Sequence, residues 1–386
     1  MNTPKKRIIA VHMLNDFSGS PMVLRQALEV LKQNFEVHLY TATPSGNGIL
    51  SNIEGITTHS IFYKWHRNKF ITLTFYIWAQ LSLFSRLLLF LRREDTVYIN
   101  TLLPFGAALA GVFARTKVVY HVHEVSITPA LFKTLLVKAA KFSADELLFV
   151  SNYVKTQFDF AEEKTTVIYN ALPDTFLKNA ALRTKERPER KFTILMLCSA
   201  KAYKGIYEFV KIAEKLYFLE FRLVLNASVE ETNAFKLAID VPPNCLIYPV
   251  QKDTSNFYLN ADLIVNLSRP QQWVETFGMT ILEGMVYGLP SIVPPIGGIT
   301  EVVENEIEGL QIDVANIHEV VWAIVKLSSN QSYYNKLAEA ARKKAEKFSQ
   351  QAFSNQISLC FYVVKKTTEV TSDGILVQKM EFQVTK

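Results

Sequence analysis

Residues Arg7 to Met13 read as a buried strand, which gives way to a loop over Leu14–Ser20, and apolar residues resume at helical spacing from Pro21 to Leu31. A third run, Glu36–Thr41, again has strand character. Strand, loop, helix and strand in that order make a βαβ unit, which requires a parallel sheet. Thr96–Asn100, Lys117–Val122, Leu147–Ser151 and Thr166–Tyr169 extend the first half as strands, with a helix over Asn152–Phe158. A second alternation starts at Thr193–Leu197, followed by a helix to Tyr217. It continues through Phe221–Asn226, Cys245–Tyr248, Ala261–Asn266 and Ser291–Val293. The pattern predicts an α/β fold of two Rossmann-like domains.

Length supports that division, because 386 residues exceed one ordinary domain and suffice for two cores. The charged run Arg183–Lys191 (RTKERPERK) has no apolar face and contains Pro188, so it reads as the interdomain linker. The expected boundaries are 1–180 for the first domain, 191–348 for the second and 349–366 for a terminal helix beginning at Ser349. Residues 367–386 carry no assignment. Apolar residues are 49% and charged ones 20%, a globular balance. Cys198, Cys245 and Cys360 are scattered without a CxxC pair, which argues for a reducing compartment and against a zinc or disulfide framework. Lys5–Lys6–Arg7 precede a short apolar run broken by His12, Asn15 and Asp16, a first strand and not a leader. The first loop lacks GxGxxG, so a dinucleotide dehydrogenase is not supported.

Charge changes the picture in one place. Residues 1–190 hold 23 Lys+Arg against 15 Asp+Glu, and residues 191–386 hold 19 against 21. A basic first half suggests an anionic surface to meet, although simple solubility gives the same imbalance. The cations do not interleave with an aromatic RNA-binding pattern, so nucleic acid is not an expected partner. Phe70–Leu91 is long enough to span a bilayer but is interrupted by Gln80, Ser82, Ser85 and Arg86. Lys64, Arg67, Lys69, Arg92 and Arg93 flank it. A buried helix and an interfacial helix on an anionic membrane both fit; a span would leave too little chain ahead of it for a complete first domain.

The densest candidate chemistry lies in residues 268–305, SRPQQWVETFGMTILEGMVYGLPSIVPPIGGITEVVEN. Helical spacing begins after Gly278, Gly288 fits the residue after the helix, and Pro290 stops it. A helix opening there points unsatisfied N–H groups at whatever precedes it, which suits a phosphate or a sugar oxygen. Glu275, on the entering loop, and Glu283, further into the helix, are two fixed acceptors for ligand hydroxyls. On spacing alone, solvated helix charges beside a turn are the commoner explanation of two such glutamates. Upstream, Lys201 and Lys204 stand where a strand gives way to a helix, a place where a cation neutralises a pyrophosphate. His123 and Glu124 cluster at the carboxyl end of a parallel strand, where such sheets bind ligands.

Phe277–Gly278, Gly288–Leu289–Pro290, Gly297–Gly298 and Glu301–Val302–Val303 around the two glutamates resemble the donor-site signature of the family 4 retaining glycosyltransferases, which have the GT-B fold. The resemblance is strongest over 191–310. It implies two domains facing a cleft and a terminal helix crossing back to the first. It also implies a nucleoside diphosphate sugar, UDP-linked in the first instance, as donor. Glu275 and His123 then take catalytic roles, and Lys204, Lys201, Glu283, Phe277, Gly278, Met279 and Gly19 bind the donor. Pro249–Lys252 would lie near the base. The family carries an arginine about five residues ahead of Lys204, where this chain has Ser199; Lys201 is the expected substitute, though a point charge replaces a planar fork.

The implied reaction is sugar transfer with retention to a glycan or lipid-linked acceptor in cell-surface polysaccharide synthesis. No cofactor is expected. No DxD triplet occurs, so a metal-bridged diphosphate is not expected either. Localisation is expected in the cytoplasm, with a peripheral place on the inner face of the membrane left open. The alternatives are a non-catalytic sugar-nucleotide or glycan-binding protein, or a GT-B epimerase or phosphorylase.

Overall fold

Seven parallel strands form the first sheet in the order β3 (Ile56–Ser60), β2 (Glu36–Ala42), β1 (Arg7–Leu14), β4 (Thr96–Asn100), β5 (Lys117–Val122), β6 (Glu146–Phe149) and β7 (Thr165–Val167). Six more form the second: β10 (Cys245–Tyr248), β9 (Glu220–Asn226), β8 (Thr193–Ser199), β11 (Leu263–Val265), β12 (Ser291–Val293) and β13 (Gly309–Gln311). The computed structural model describes residues 5–180, 190–370 and 376–383. Each sheet anchors one unit. One unit runs to Val150, takes up Val154–Tyr169 and resumes at Gln351; the other comprises Ser151–Tyr153 and Asn170–Gln350.

The central strands are buried on both faces, as parallel strands covered by helices must be. Ile8, Ile9, Ala10 and Val11 in β1 are fully buried, as are Ile194 and Leu195 in β8. Each sheet reverses its strand order once, between β1 and β4 in the first and between β8 and β11 in the second. Connections leave a reversal in opposite directions and open a crevice at the carboxyl ends of the two strands. The predicted site residues follow these strand ends: Gly19 after β1, Lys201 and Lys204 after β8, Glu275 after β11. His123 follows β5, next to β4.

Several sequence expectations need adjustment. Helix α1 is Gly19–Leu31, starting two residues before Pro21. Proline is tolerated there because first-turn N–H groups have no intrahelical partner. Helix α2, Lys69–Phe90, is not a mostly buried helix: Tyr76, Ala79, Gln80, Leu83 and Leu87 are its buried residues. They recur at three- and four-residue steps and so occupy one face. Helix α3 (Phe105–Ala114) packs against it, and helix α4 (Ala130–Ser143) packs against α3 in the same unit. Strand β3 was not anticipated because ITTHS is an exposed edge strand without an apolar alternation.

The predicted linker lies outside the described residues except at its end. There Arg190 forks onto Asp262 at 2.5 and 3.1 Å, just ahead of β11. The terminal helix is Gln350–Phe361, shorter than expected, because Val363–Val370 pairs antiparallel with Leu376–Gln383. Its end belongs to the first unit: Lys117 Nζ donates to the Cys360 carbonyl at 2.9 Å, and Asn34 donates to the Tyr362 hydroxyl at 3.1 Å.

Candidate functional site

In the second unit, Lys204 ends a single 3-10 turn, Ala202–Lys204, between β8 and the helix Ile206–Lys215. Its ammonium donates to Glu275 on the loop after β11 and lies 4.8 Å from the centre of the Trp273 ring. Trp273 stacks on Tyr203 at 5.2 Å. Ser268 Oγ also donates to Glu275, at 2.7 Å. The two charged side chains are only 14% and 15% exposed. Burial alone would raise the Glu275 carboxyl, but the Lys204 charge and hydrogen bonds from Lys204, Ser268 and Asn266 outweigh it and hold the group below its ordinary value. The result is an ionised acceptor beside a cation at the second sheet's reversal. Lys201 immediately precedes the same turn, at its N-cap, and is exposed.

Gly278 precedes the helix Met279–Val286 with φ +95, a left-handed conformation that a Cβ strains. A Cβ there would stand 2.7 Å from Ile299. Gly298 backs the same loop from behind, where a Cβ would fall 1.9 Å from the Thr276 carbonyl oxygen. Met279 is the first helical residue and half-buried. The expectation for Phe277 needs correction at the side chain: its ring is 2% exposed and packs edge-on against Phe348, so only its main chain is left to a ligand.

Glu283 sits in the body of this helix and accepts from the hydroxyl of Tyr258. Burial pushes its carboxyl up to about 7, and the tyrosine bond offsets this only in part. Tyr258 is fully buried, stacked on Tyr287 at 5.4 Å. Glu275 and Glu283 thus have opposite electrostatic surroundings, one stabilised as an anion and the other near neutrality.

In the first unit the ladder sets Asn100 opposite His121, and His123 follows two residues later on the same face. Asn100 donates its amide to His12 Nδ1 at 3.0 Å and to the Ser20 carbonyl at 3.1 Å. Its oxygen therefore accepts from His123 Nε2–H, at 2.8 Å. Burial, with His121 and His12 nearby, holds the His123 pKa well below its ordinary value. The ring is neutral with its proton on Nε2, leaving Nδ1 as a lone-pair acceptor. With Nε2–H committed to Asn100, the ring offers an acceptor and not a donor. Glu124 accepts from the Leu102 and His123 amides at 2.8 and 3.2 Å, a structural engagement. Gly19 is the exposed first residue of α1, with open space where a Cβ would lie.

Residues 19–175 match the family model described as Glycosyltransferase Family 4, and residues 178–344 the one described as Glycosyl transferases group 1. The chain belongs to glycosyltransferase family 4. Its fold is GT-B. HepE of Anabaena, solved with UDP and glucose, superposes with a TM-score of 0.73 at 18% identity, over 91% of this chain and 98% of that one. WaaG, a glycosyltransferase involved in lipopolysaccharide biosynthesis, gives 0.67 at 15% identity over 91% and 98%. An uncharacterised glycosyltransferase of Haemophilus influenzae is 25% identical over 266 residues, covering 67% of this chain and 73% of its own. A sucrose synthase of Melioribacter roseus is 36% identical over 88 residues, 22% of this chain; the match spans 11% of that relative's length.

Within the family 4 frame, sequence reasoning missed the residues that hold the site residues in place. Ser268 and Asn266 tune Glu275, Tyr258 holds Glu283, and Asn100 fixes the His123 tautomer. It also missed Arg269, whose N–H donates to the Tyr203 carbonyl at 2.8 Å and whose guanidinium is held by Glu208 at 2.6 Å. Ser268 and Arg269 open the dense stretch and Asn266 lies just ahead of it, so all three were within reach of the motif. Tyr258 and Asn100 come from elements with no motif of their own. Glu301, part of the family resemblance, accepts from the Asn152 and Tyr153 amides at 3.0 and 2.6 Å.

Proposed function

We propose that this protein transfers a sugar, with retention at the anomeric carbon, from a UDP-linked donor to a glycan or lipid-linked glycan in cell-surface polysaccharide synthesis. The observation that carries the proposal is the Lys204–Glu275 pair at a sheet reversal, beside a helix that opens at Gly278. A diphosphate needs a cation and aligned N–H donors; the sugar beside it needs an acceptor that remains ionised in a mostly buried place. HepE, solved with UDP and with UDP-glucose, supports a uridine nucleotide as the first donor to try.

In this reading the bond between the anomeric carbon and the diphosphate breaks with its electron pair leaving on UDP, and the acceptor hydroxyl oxygen forms the new bond while its proton passes to the departing diphosphate oxygen. Lys204 and the amides after Gly278 stabilise the charge developing on the diphosphate, where catalysis gains most. Glu275 accepts from sugar hydroxyls, Glu283 accepts from the ribose once ionised, and His123 accepts a sugar hydroxyl at Nδ1. Two cations are candidates for the place of the family arginine: exposed Lys201, and Arg269 once Glu208 releases it. No metal or cofactor has a part in this mechanism. The proposed setting is cytoplasmic, on the inner face of a membrane.

The test begins with thermal stabilisation by a panel of nucleotide sugars, since a ligand that binds only the folded state raises its melting temperature. Transfer or slow hydrolysis is then followed for the stabilising donor, with and without chelator, and the product anomer is assigned by NMR. Full activity in Glu275→Ala removes the proposed site. Ser199 favours one second reading, a binding protein without turnover, in which stabilisation appears and no product forms.

A further inference from the structure

Among the described residues, Lys69–Phe90 is the one helix long and apolar enough to cross a membrane. Its inner face forbids that. Tyr76 donates its hydroxyl to the Leu103 carbonyl at 2.6 Å, and Gln80 accepts from the Gly106 amide at 2.9 Å. Arg86 donates to the Ser60 carbonyl at 2.8 Å. A span would break all three bonds and strip Leu83 and Leu87 from the core.

The opposite face is apolar too. Phe70, Leu73, Ile77, Leu81 and Leu88 recur at helical spacing and are 40% to 80% exposed, with Trp78 beside them at 62%. Helix α4 repeats the arrangement with Leu131, Leu135 and Phe142, exposed by 73%, 58% and 69%. The two helices touch through Tyr76 and Phe132, ring centres 5.3 Å apart. Two neighbouring helices with unpartnered apolar faces far exceed the scattered hydrophobics usual on a soluble surface.

The charge around them selects the partner. Residues 55–144 contain eleven Lys and Arg against three acids, Glu94, Asp95 and Glu124. Asp95 is tied to buried Arg7, and Glu124 is turned onto backbone amides. Lys64, Arg67 and Lys69 stand at the start of α2, Arg92 and Arg93 just past its end, and Lys138 along the exposed side of α4. A second copy meeting this face would bring the same cations against each other, which disfavours a symmetric dimer.

We propose that the outer face of α2 and α4 docks onto an anionic lipid bilayer, with α2 lying in the plane of the interface, its aromatic and aliphatic side chains in the acyl boundary and its flanking cations among the headgroups. This gives a surface to the membrane-side setting proposed above. It does not depend on the transfer reaction.

Flotation of the full chain with phosphatidylcholine vesicles, with and without roughly 30 mol % phosphatidylglycerol, tests it. The protein is expected to float with the anionic vesicles at low salt and to be released as ionic strength rises. Leu73→Glu/Ile77→Glu and Lys64→Gln/Arg67→Gln/Lys69→Gln should each weaken partition by about ten-fold or more with an unchanged melting temperature. Should the glutamate variant unfold, the glutamine variant still decides. Absence of flotation at low salt overturns the proposal, as does undiminished flotation of a folded variant. A dimer in sedimentation that the glutamate variant splits, without vesicle binding, also overturns it and assigns the face to a second copy. Vesicle binding needs neither donor nor turnover, so its failure and that of the transferase reading are separate results.

Discussion

Lys204 and Glu275, 71 residues apart, form an ion pair with both side chains about one-seventh exposed. The pair ties the turn after β8 to the loop after β11, which is a structural role. It is also the proposed binding pair. In the proposed function, a diphosphate entering the site would compete with Glu275 for the ammonium, and the donor's sugar hydroxyls with Lys204 for the carboxylate.

Separating the two roles takes a double-mutant cycle. Lys204→Ala leaves a carboxylate desolvated without its partner and is expected to cost on the order of 2–4 kcal/mol, below the fully buried case because some solvent reaches the pair. Lys204→Ala/Glu275→Ala removes the stranded charge and should recover part of that loss in denaturant unfolding. Donor binding should not recover. A double variant that regains UDP stabilisation would make the pair purely structural.

Glu283 gives a pH dependence of definite sign. Its carboxyl is raised from 4.5 to about 7 in the folded protein, so between those values the folded state holds the proton more tightly than the unfolded chain. Its contribution is greatest at low pH and falls as pH rises through that window, by at most ~3 kcal/mol, then levels off. Glu124, also raised to about 7, acts in the same direction, so the comparison must be between wild type and Glu283→Gln. The variant should lose less stability between pH 5 and about 7.5. Affinity for a UDP-sugar, whose diphosphate has no group titrating in this window, should rise with pH in wild type as the proposed ribose acceptor ionises, and stay flat in the variant.

The legible parts of this chain were those fixed by local chemistry. Gly278 at φ +95 and Gly288 at φ +69 bracket one helix where the sequence placed them, and β4, β5, β10 and β12 fall on the predicted runs. What stayed hidden depends on register and packing. Asn100 reaches His123 because β4 and β5 pair in a particular register, and nothing in TVYIN announces that. The two faces of α2 are alike in sequence, so which one the core covers is decided by the Tyr76 and Gln80 bonds. Phe277 sits inside the recognised motif, yet motif membership said nothing of its burial against Phe348.

The loop geometry at Gly278 is testable by itself. Gly278→Ala forces a Cβ into a left-handed position against Ile299 and should cost ~1–3 kcal/mol. Because the strain falls where the helix opens, donor binding should weaken by more than the change in stability alone accounts for. Equal stabilisation by UDP in wild type and variant would show that the helix opening does not meet the diphosphate.

Ser199 leaves the second cation open between two side chains. Lys201 is exposed, so Lys201→Ala should leave stability near wild type and, if it contacts the diphosphate, weaken UDP binding by about ten-fold. Arg269→Ala also frees Glu208, so a melting-temperature loss is expected whether or not the arginine meets ligand. The discriminating readout is the difference between UDP and uridine affinity in each variant. A cation that grips phosphate loses UDP selectively; a change shared by both ligands is structural.

His123 accepts at Nδ1 only while Asn100 holds the proton on Nε2. With the His123 pKa well below its ordinary value, turnover should not vary with this group from pH 6 to 8. Asn100→Asp sets a carboxylate beside Nε2 and favours the imidazolium, which has no lone pair to offer. The variant should be slow at pH 6 and recover as pH rises, a new acidic limb in kcat. His123→Ala should be slow at every pH while UDP binding, proposed for the second unit's residues, is retained. A pH profile unchanged by Asn100→Asp would mean that the imidazole's protonation state has no part in the transfer.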